Sequence, residues 1–124
     1  VDVIAALLRV RSGSGLWFQV LDRPTEAGNY EEASASLMIA YALMKGARLG
    51  VLGPEASIAG RQSLATCVAR FVDERALHGI CGVAGLGNVP YRDGSVAYYL
   101  SEPVVANDPK GVAALFMALA EALR

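Results

Sequence analysis

Four carboxylates, an indole and a guanidinium are the side chains in this chain best suited to work on a sugar. Asp22, Glu31, Glu32 and Asp93 are the acids that could form the carboxyl pair of glycosidic chemistry, which needs both groups in one pocket. Glu31 and Glu32 are adjacent, so on a helix they point in different directions. Asp22, Glu32 and Asp93 could converge, but no spacing forces them to. Trp17 offers an aromatic face that suits the C–H face of a sugar ring, and it suits the interior of a helical core equally well. Arg92, in the turn Tyr91-Arg92-Asp93-Gly94, could meet an acidic sugar or pair with a nearby carboxylate.

Other chemistries find less support. Ser34 and Ser36 have only His78 as a candidate base, and no G-x-S-x-G elbow is present. His78 lies three residues before Cys81, and two possible ligands make no metal site. Cys67 and Cys81 read as two buried thiols rather than a disulfide. The glycines of Gly79–Gly87 lack the Lys-Ser/Thr pair of a nucleotide loop. No metal and no cofactor is expected.

The elements that must hold these groups are helical. Asp2–Arg11 reads as the end of a helix stopped by Ser12-Gly13-Ser14-Gly15. Gly15–Tyr30 is a loop that begins with Trp17, Phe18 and Gln19 and carries a surface turn at Pro24–Asn29. Glu31–Arg48 is predicted as a helix buried on all sides, Tyr41 and Met44 included, because from Ala33 to Met44 its polar groups are Ser34, Ser36 and the Tyr41 hydroxyl. Glu31 and Glu32 suit the positive end of that helix, where backbone N–H groups are unpaired. Pro54–Arg75 is a half-exposed helix opened by Pro54, and the two form an α/α hairpin. The glycine-rich stretch from Ala76 to Pro90 should be irregular. Asp108 caps a last helix, near Asp108–Leu123, with Pro109 in its first turn; its apolar run predicts a second buried helix. Residues 1–124 are read as a single domain of the all-α class.

Composition sharpens the picture. Among 124 residues, 54% are hydrophobic and 19% charged, against about 45–50% and 25% in ordinary domains. That excess fits part of a larger body or a chain that buries surface in a homo-oligomer. Net charge is −1, so no basic footprint for nucleic acid exists. The apolar helix near Ala33–Met44 is shorter than the roughly 20 residues a bilayer crossing takes. The opening VDVIAALLRVRSGSG lacks a basic leader, so a cytoplasmic location is expected.

Several ordered blocks are similar to one family. GLWFQVLDRP, NYEEASASLMIAYALMKGARLG, GICGVAGLG, PYRDG and YYLSEPVVANDPKG resemble the C-terminal part of the unsaturated rhamnogalacturonyl hydrolases, relatives of the unsaturated glucuronyl hydrolases. The resemblance runs from about Gly15 to the end. It implies a toroid of six helical hairpins, of which this chain would form about two, as the C-terminal part of a larger glycoside hydrolase domain. It also implies removal of the unsaturated uronyl residue that a lyase leaves on pectin fragments. There an aspartic acid protonates the C4=C5 double bond and activates water to add at C5. The family's catalytic aspartates belong to segments matched by nothing here, so no catalytic residue is carried over. Trp17 and Gln19 are expected as walls of the sugar pocket, with Arg92 a third candidate, and an unsaturated uronyl oligosaccharide as partner. The competing expectation is a non-catalytic helical module that binds or self-associates on the same scaffold.

Overall fold

The computed structural model describes residues 2–124. Five helices form: α1 (Asp2–Arg9), α2 (Ala33–Arg48), α3 (Pro54–Phe71), α4 (Val96–Ser101) and α5 (Pro109–Ala122). Two short strands, β1 (Ile80–Cys81) and β2 (Val104–Val105), pair antiparallel with Ile80 opposite Val105. The chain is thus helical, with one small sheet whose first strand lies inside the stretch predicted to be irregular. Among the described residues no helix is long and apolar enough to cross a membrane.

α2 is the central element, packed against α3 on one flank and α5 on another. Leu37, Ala40 and Met44 of α2 meet Leu64 and Cys67 of α3 and Ala114 and Ala118 of α5 in one core. α2 and α3 approach closely at Gly60, where a Cβ would lie 2.7 Å from the Ala40 carbonyl oxygen and 2.8 Å from Met44 Cγ. Backbone cannot yield as a flexible side chain can, so this contact admits only hydrogen at that position. A second cluster joins Trp17, Leu43 and Ala56 to Ile4, Leu7 and Val10 from α1 and the residue just beyond it.

The helix ends follow their sequences. Pro54 and Pro109 occupy first-turn positions, and Asp108 accepts the Lys110 backbone N–H at 3.0 Å. α3 stops at Phe71 rather than Arg75. Asp73 Oδ1 accepts the backbone N–H groups of Arg75 and Ala76 at 2.8 and 2.9 Å, and the His78 N–H turns back to the Phe71 carbonyl at 2.8 Å. An aspartate-centred turn outcompetes another helical turn there. α4 went unread in the sequence; Ser95 caps it by accepting the Tyr98 N–H at 3.1 Å.

Burial of the apolar helices departs from expectation. Met44 is buried, but Tyr41 is half-buried and donates nothing inward: its hydroxyl accepts from Lys45 Nζ at 2.6 Å. Met38 and Ala42 open a stripe of α2 to solvent, and Phe116, Met117 and Leu123 do the same at the end of the chain. An apolar surface demands a neighbour, and this chain covers only part of both helices.

Candidate functional site

α2 and α5 run parallel. At one end Arg48 pairs with Glu121; at the other, the starts of both helices flank β1, with the Ala33 N–H donating to the Gly79 carbonyl and the Asn107 N–H to the Leu77 carbonyl, each at 2.9 Å. Parallel alignment brings two positive helix ends to the same rim. One groove opens there, and a second adjoins it between the Gly15–Tyr30 loop and the segment from Gly94 to Tyr99.

The first has a volume of about 270 Å³ and is walled by Gln19, Glu32, Ser34, Cys81, Gly82, Val83, Ala84 and Lys110. Glu32 is its anchor and is buried. It caps α2 by accepting the Ala35 N–H at 2.6 Å, takes the Ser34 hydroxyl at 2.8 and 3.0 Å, and takes the Cys81 N–H at 2.9 Å. Both oxygens are therefore committed to structural donors. Glu31 does not complement the helix end. It faces away, accepting the Ser12 and Ser14 hydroxyls at 2.5 Å and pairing with Arg70.

The second groove, of about 560 Å³, is walled by Gln19, Val20, Leu21, Asp22, Gly94, Val96 and Tyr99. It is more apolar than the first, with Asp22 as its carboxylate. Gln19 stands between the two, since it lines both. Its backbone is fixed by the Gln19 N–H to Tyr30 carbonyl bond at 2.8 Å and by the Phe18–Glu31 bridge beside it. Its side-chain amide, as oriented, reaches Cys81 Sγ at 3.1 Å. The Tyr30 hydroxyl is buried nearby without a hydrogen-bond partner, and burial raises its pKa above the ordinary 10.0.

Of the residues expected from sequence, Gln19 is at the site. Trp17 is wholly buried: its indole N–H donates to the Leu7 carbonyl at 2.8 Å, and the Arg11 guanidinium stacks over the ring at 5.6 Å. The indole spends its polar group on the end of α1 and serves as a core anchor, so its face is not open to a sugar. It acts on the groove indirectly, because its carbonyl accepts the Glu32 N–H at 2.9 Å. Arg92 closes its own loop, with Nε donating to the Gly87 carbonyl at 3.1 Å and the two backbones bridged at Gly87–Arg92.

The candidate carboxylates, whose convergence the sequence left open, have separate partners. Asp93 accepts the Ser95 N–H at 2.8 Å, which depresses its pKa below the ordinary 3.8; a depressed carboxyl is a poor proton donor near neutral pH. Ser36 accepts the Trp17 N–H at 3.1 Å, and His78 pairs with Asp73 at 2.8 Å at the surface. Ser34, Ser36 and His78 therefore form no catalytic set. Cys67 and Cys81 are free and buried, and burial pushes the Cys67 thiol up to about 12.

Lys110, Cys81 and Tyr99 were not legible as groove residues. The usable signal was that Glu32 and Asp108 both open helices; parallel packing of those helices is what brings their first turns together.

The match to the model of glycosyl hydrolase family 88 spans residues 1–124. The chain belongs to this family. Protein Atu3128 of Agrobacterium fabrum and a 24.9 kDa protein in the picA locus of Rhizobium radiobacter are each 50% identical to it over 132 residues, covering 98% of the chain. The chain spans 57% of the length of each of those relatives. Among solved structures, a glycoside hydrolase of family 105 from C. acetobutylicum matches with a TM-score of 0.93 and 41% identity over 98% of this chain and 36% of that one. A possible member of the same family from Salmonella enterica serovar Paratyphi A matches at a TM-score of 0.83 and 27% identity, over 98% of this chain and 29% of that one. The family 88 segment thus has the fold of one part of a six-hairpin toroid.

Proposed function

We propose that this family 88 segment forms one wall of the sugar pocket of a glycoside hydrolase that removes unsaturated uronyl residues from pectin fragments. The observation that carries the reading is the groove at the parallel starts of α2 and α5 with the second groove that adjoins it across Gln19, in a chain matched along its length by a glycosidase family. Gln19 orients the sugar from the ridge between the grooves. The buried Glu32 network fixes the floor, and Trp17 supports it from behind. The chemistry is protonation at C4 of the double bond followed by addition of water at C5, and it needs a positioned acid that contributes about 10²–10⁴ in rate. Glu32 and Asp93 are tied to backbone donors and Asp22 is the remaining groove carboxylate; we take the acid from outside this segment, with Asp22 as the alternative that the test addresses.

The test is titration of an unsaturated rhamnogalacturonan disaccharide into the chain, with absorbance of the conjugated double bond followed in parallel. Binding that weakens on Gln19→Ala, without turnover, is the expected result. Turnover by this chain that vanishes on Asp22→Asn would overturn the assignment of a wall without a donor. Absence of any binding would remove the sugar reading. The exposed apolar residues Phe116, Met117 and Leu123 favour a second reading, a non-catalytic module that self-associates. A mass that stays monomeric across concentrations in sedimentation counts against it.

A further inference from the structure

The ridge between the two grooves is held by a contact that reaches across the fold. Gln19 lines both grooves, and its Nε2 donates to the sulfur of Cys81, 62 residues along the chain, at 3.1 Å. Both ends of this contact sit on fixed backbone. The Gln19 N–H donates to the Tyr30 carbonyl at 2.8 Å. The Cys81 N–H donates to buried Glu32 at 2.9 Å, and Cys81 pairs with Val104 in the sheet. Cys81 is buried, so water competes little for its sulfur. The Tyr30 hydroxyl borders the same thiol without a bond in line. A glutamine side chain has much rotamer freedom to lose, and here a weak acceptor turns its amide one way. With Nε2 on the sulfur, Oε1 is the amide atom left without a donor among the described residues. Turned the other way, the amide would set its oxygen against the sulfur and depend on the weak S–H donor.

We infer that Cys81 is a positioning residue: its sulfur holds the Gln19 amide so that Oε1 stands ready to accept a sugar hydroxyl at the ridge. The inference rests on the sugar reading above and adds to it the residue that orients Gln19. An amide free to flip presents its oxygen and its nitrogen in turn, and binding must then order it. An amide already held is ordered before the ligand arrives, so binding does not bear that cost. One Nε2 proton goes to the sulfur and the other stays available. Gln19 therefore offers an acceptor and a donor in one fixed order, which suits neighbouring hydroxyls on a ring in one orientation. Cys81 acts through Gln19 and not on the reacting atoms.

The experiment has two arms, and thermal melting of each variant checks the fold. The first is nuclear magnetic relaxation of the Gln19 side-chain nitrogen in the ligand-free chain, with the signal identified by its loss in Gln19→Ala. Its order parameter should approach the rigid value of about 0.85 and fall below about 0.6 in Cys81→Ala. Cys81→Ser should keep most of the rigidity, because a hydroxyl still accepts. The second arm is calorimetry with an unsaturated rhamnogalacturonan disaccharide. Gln19→Ala should weaken binding about three- to tenfold, the scale of one hydrogen bond. Cys81→Ala should weaken it about two- to fourfold, and Cys81→Ser by less. The double variant should lose no more than Gln19→Ala alone, since the two residues act as one unit. An amide as rigid in Cys81→Ala as in the unsubstituted chain, or losses that add in the double variant, overturns the inference and leaves the sugar reading standing. Failure of the unsubstituted chain to bind the disaccharide overturns both.

Discussion

α2 and α5 look alike in sequence and differ in what surrounds them. Both are apolar around most of their circumference, both begin with a capping carboxylate, and they lie parallel in one core. α2 has α3 and α5 on its flanks and the Trp17 loop over its start. α5 is packed against α2, meets the Ile80 side chain of β1 at Gly111 and touches α3 only slightly, and Phe116 stands 67% exposed. An apolar sequence therefore records how many neighbours a helix is built for, and not how many this stretch of chain supplies. The two helices predict opposite responses to substitution.

The largest difference is expected in the core. Met44→Ala should cost about 2–5 kcal/mol, since Met44 is buried where α2, α3 and α5 meet, and truncation leaves a cavity that the close contact at Gly60 prevents from collapsing. Denaturant unfolding measures it, and a change within error would place α2 at the periphery. Next is Glu32→Ala, which strips a buried acceptor from the Ser34 hydroxyl and from the Ala35 and Cys81 N–H groups. A loss of about 1–3 kcal/mol is expected, with faster amide exchange at Ala35 and Cys81. Loss of stability without faster exchange would mean that the groove floor does not depend on the cap.

At the far end of the same pair, Arg48 holds the Glu121 carboxyl below its ordinary 4.5. The folded chain then takes up that proton less readily than the unfolded one. The stability this gives is complete above the ordinary value and is lost as pH falls through the lower folded value. Glu121→Gln should flatten that part of the acid limb in a melting series from neutral to acid pH. An unaltered limb would show that the pair is screened by water. The smallest effect on stability belongs to the outer face of α5: Phe116→Ser should stay within about 0.5 kcal/mol while reducing self-association in sedimentation. A large destabilisation would show that Phe116 is covered after all.

How much of this was legible in the sequence follows the same division. Helix positions and caps are local: Pro54, Asp108 and Pro109 announce their ends, and α2 needs only its apolar run. Burial is not local, which is why Tyr41 and the outer face of α5 were overestimated. Trp17 could not be settled between core and sugar until the Leu7 carbonyl was found beside its indole N–H. Lys110 was invisible because its groove is made by two helices whose parallel packing no short pattern encodes. Gln19 lines both grooves and Arg92 closes its own loop, a difference that letters do not carry, since a loop-closing arginine and a ligand arginine look the same in sequence.

The parallel pair is pinned at both ends, by Arg48–Glu121 at one and by β1 between the helix starts at the other. Such a pair behaves as a ruler. One residue inserted into α5 turns everything beyond it by about 100°, so that Glu121 can keep its partner only if Lys110 leaves the groove wall. Length changes should therefore survive in the exposed turn from Leu21 to Gly28 and in the loop around Val89, and be purged from the 16 residues of α2 and the 14 of α5. A family tree of this protein should show its insertions in two places and almost nowhere else.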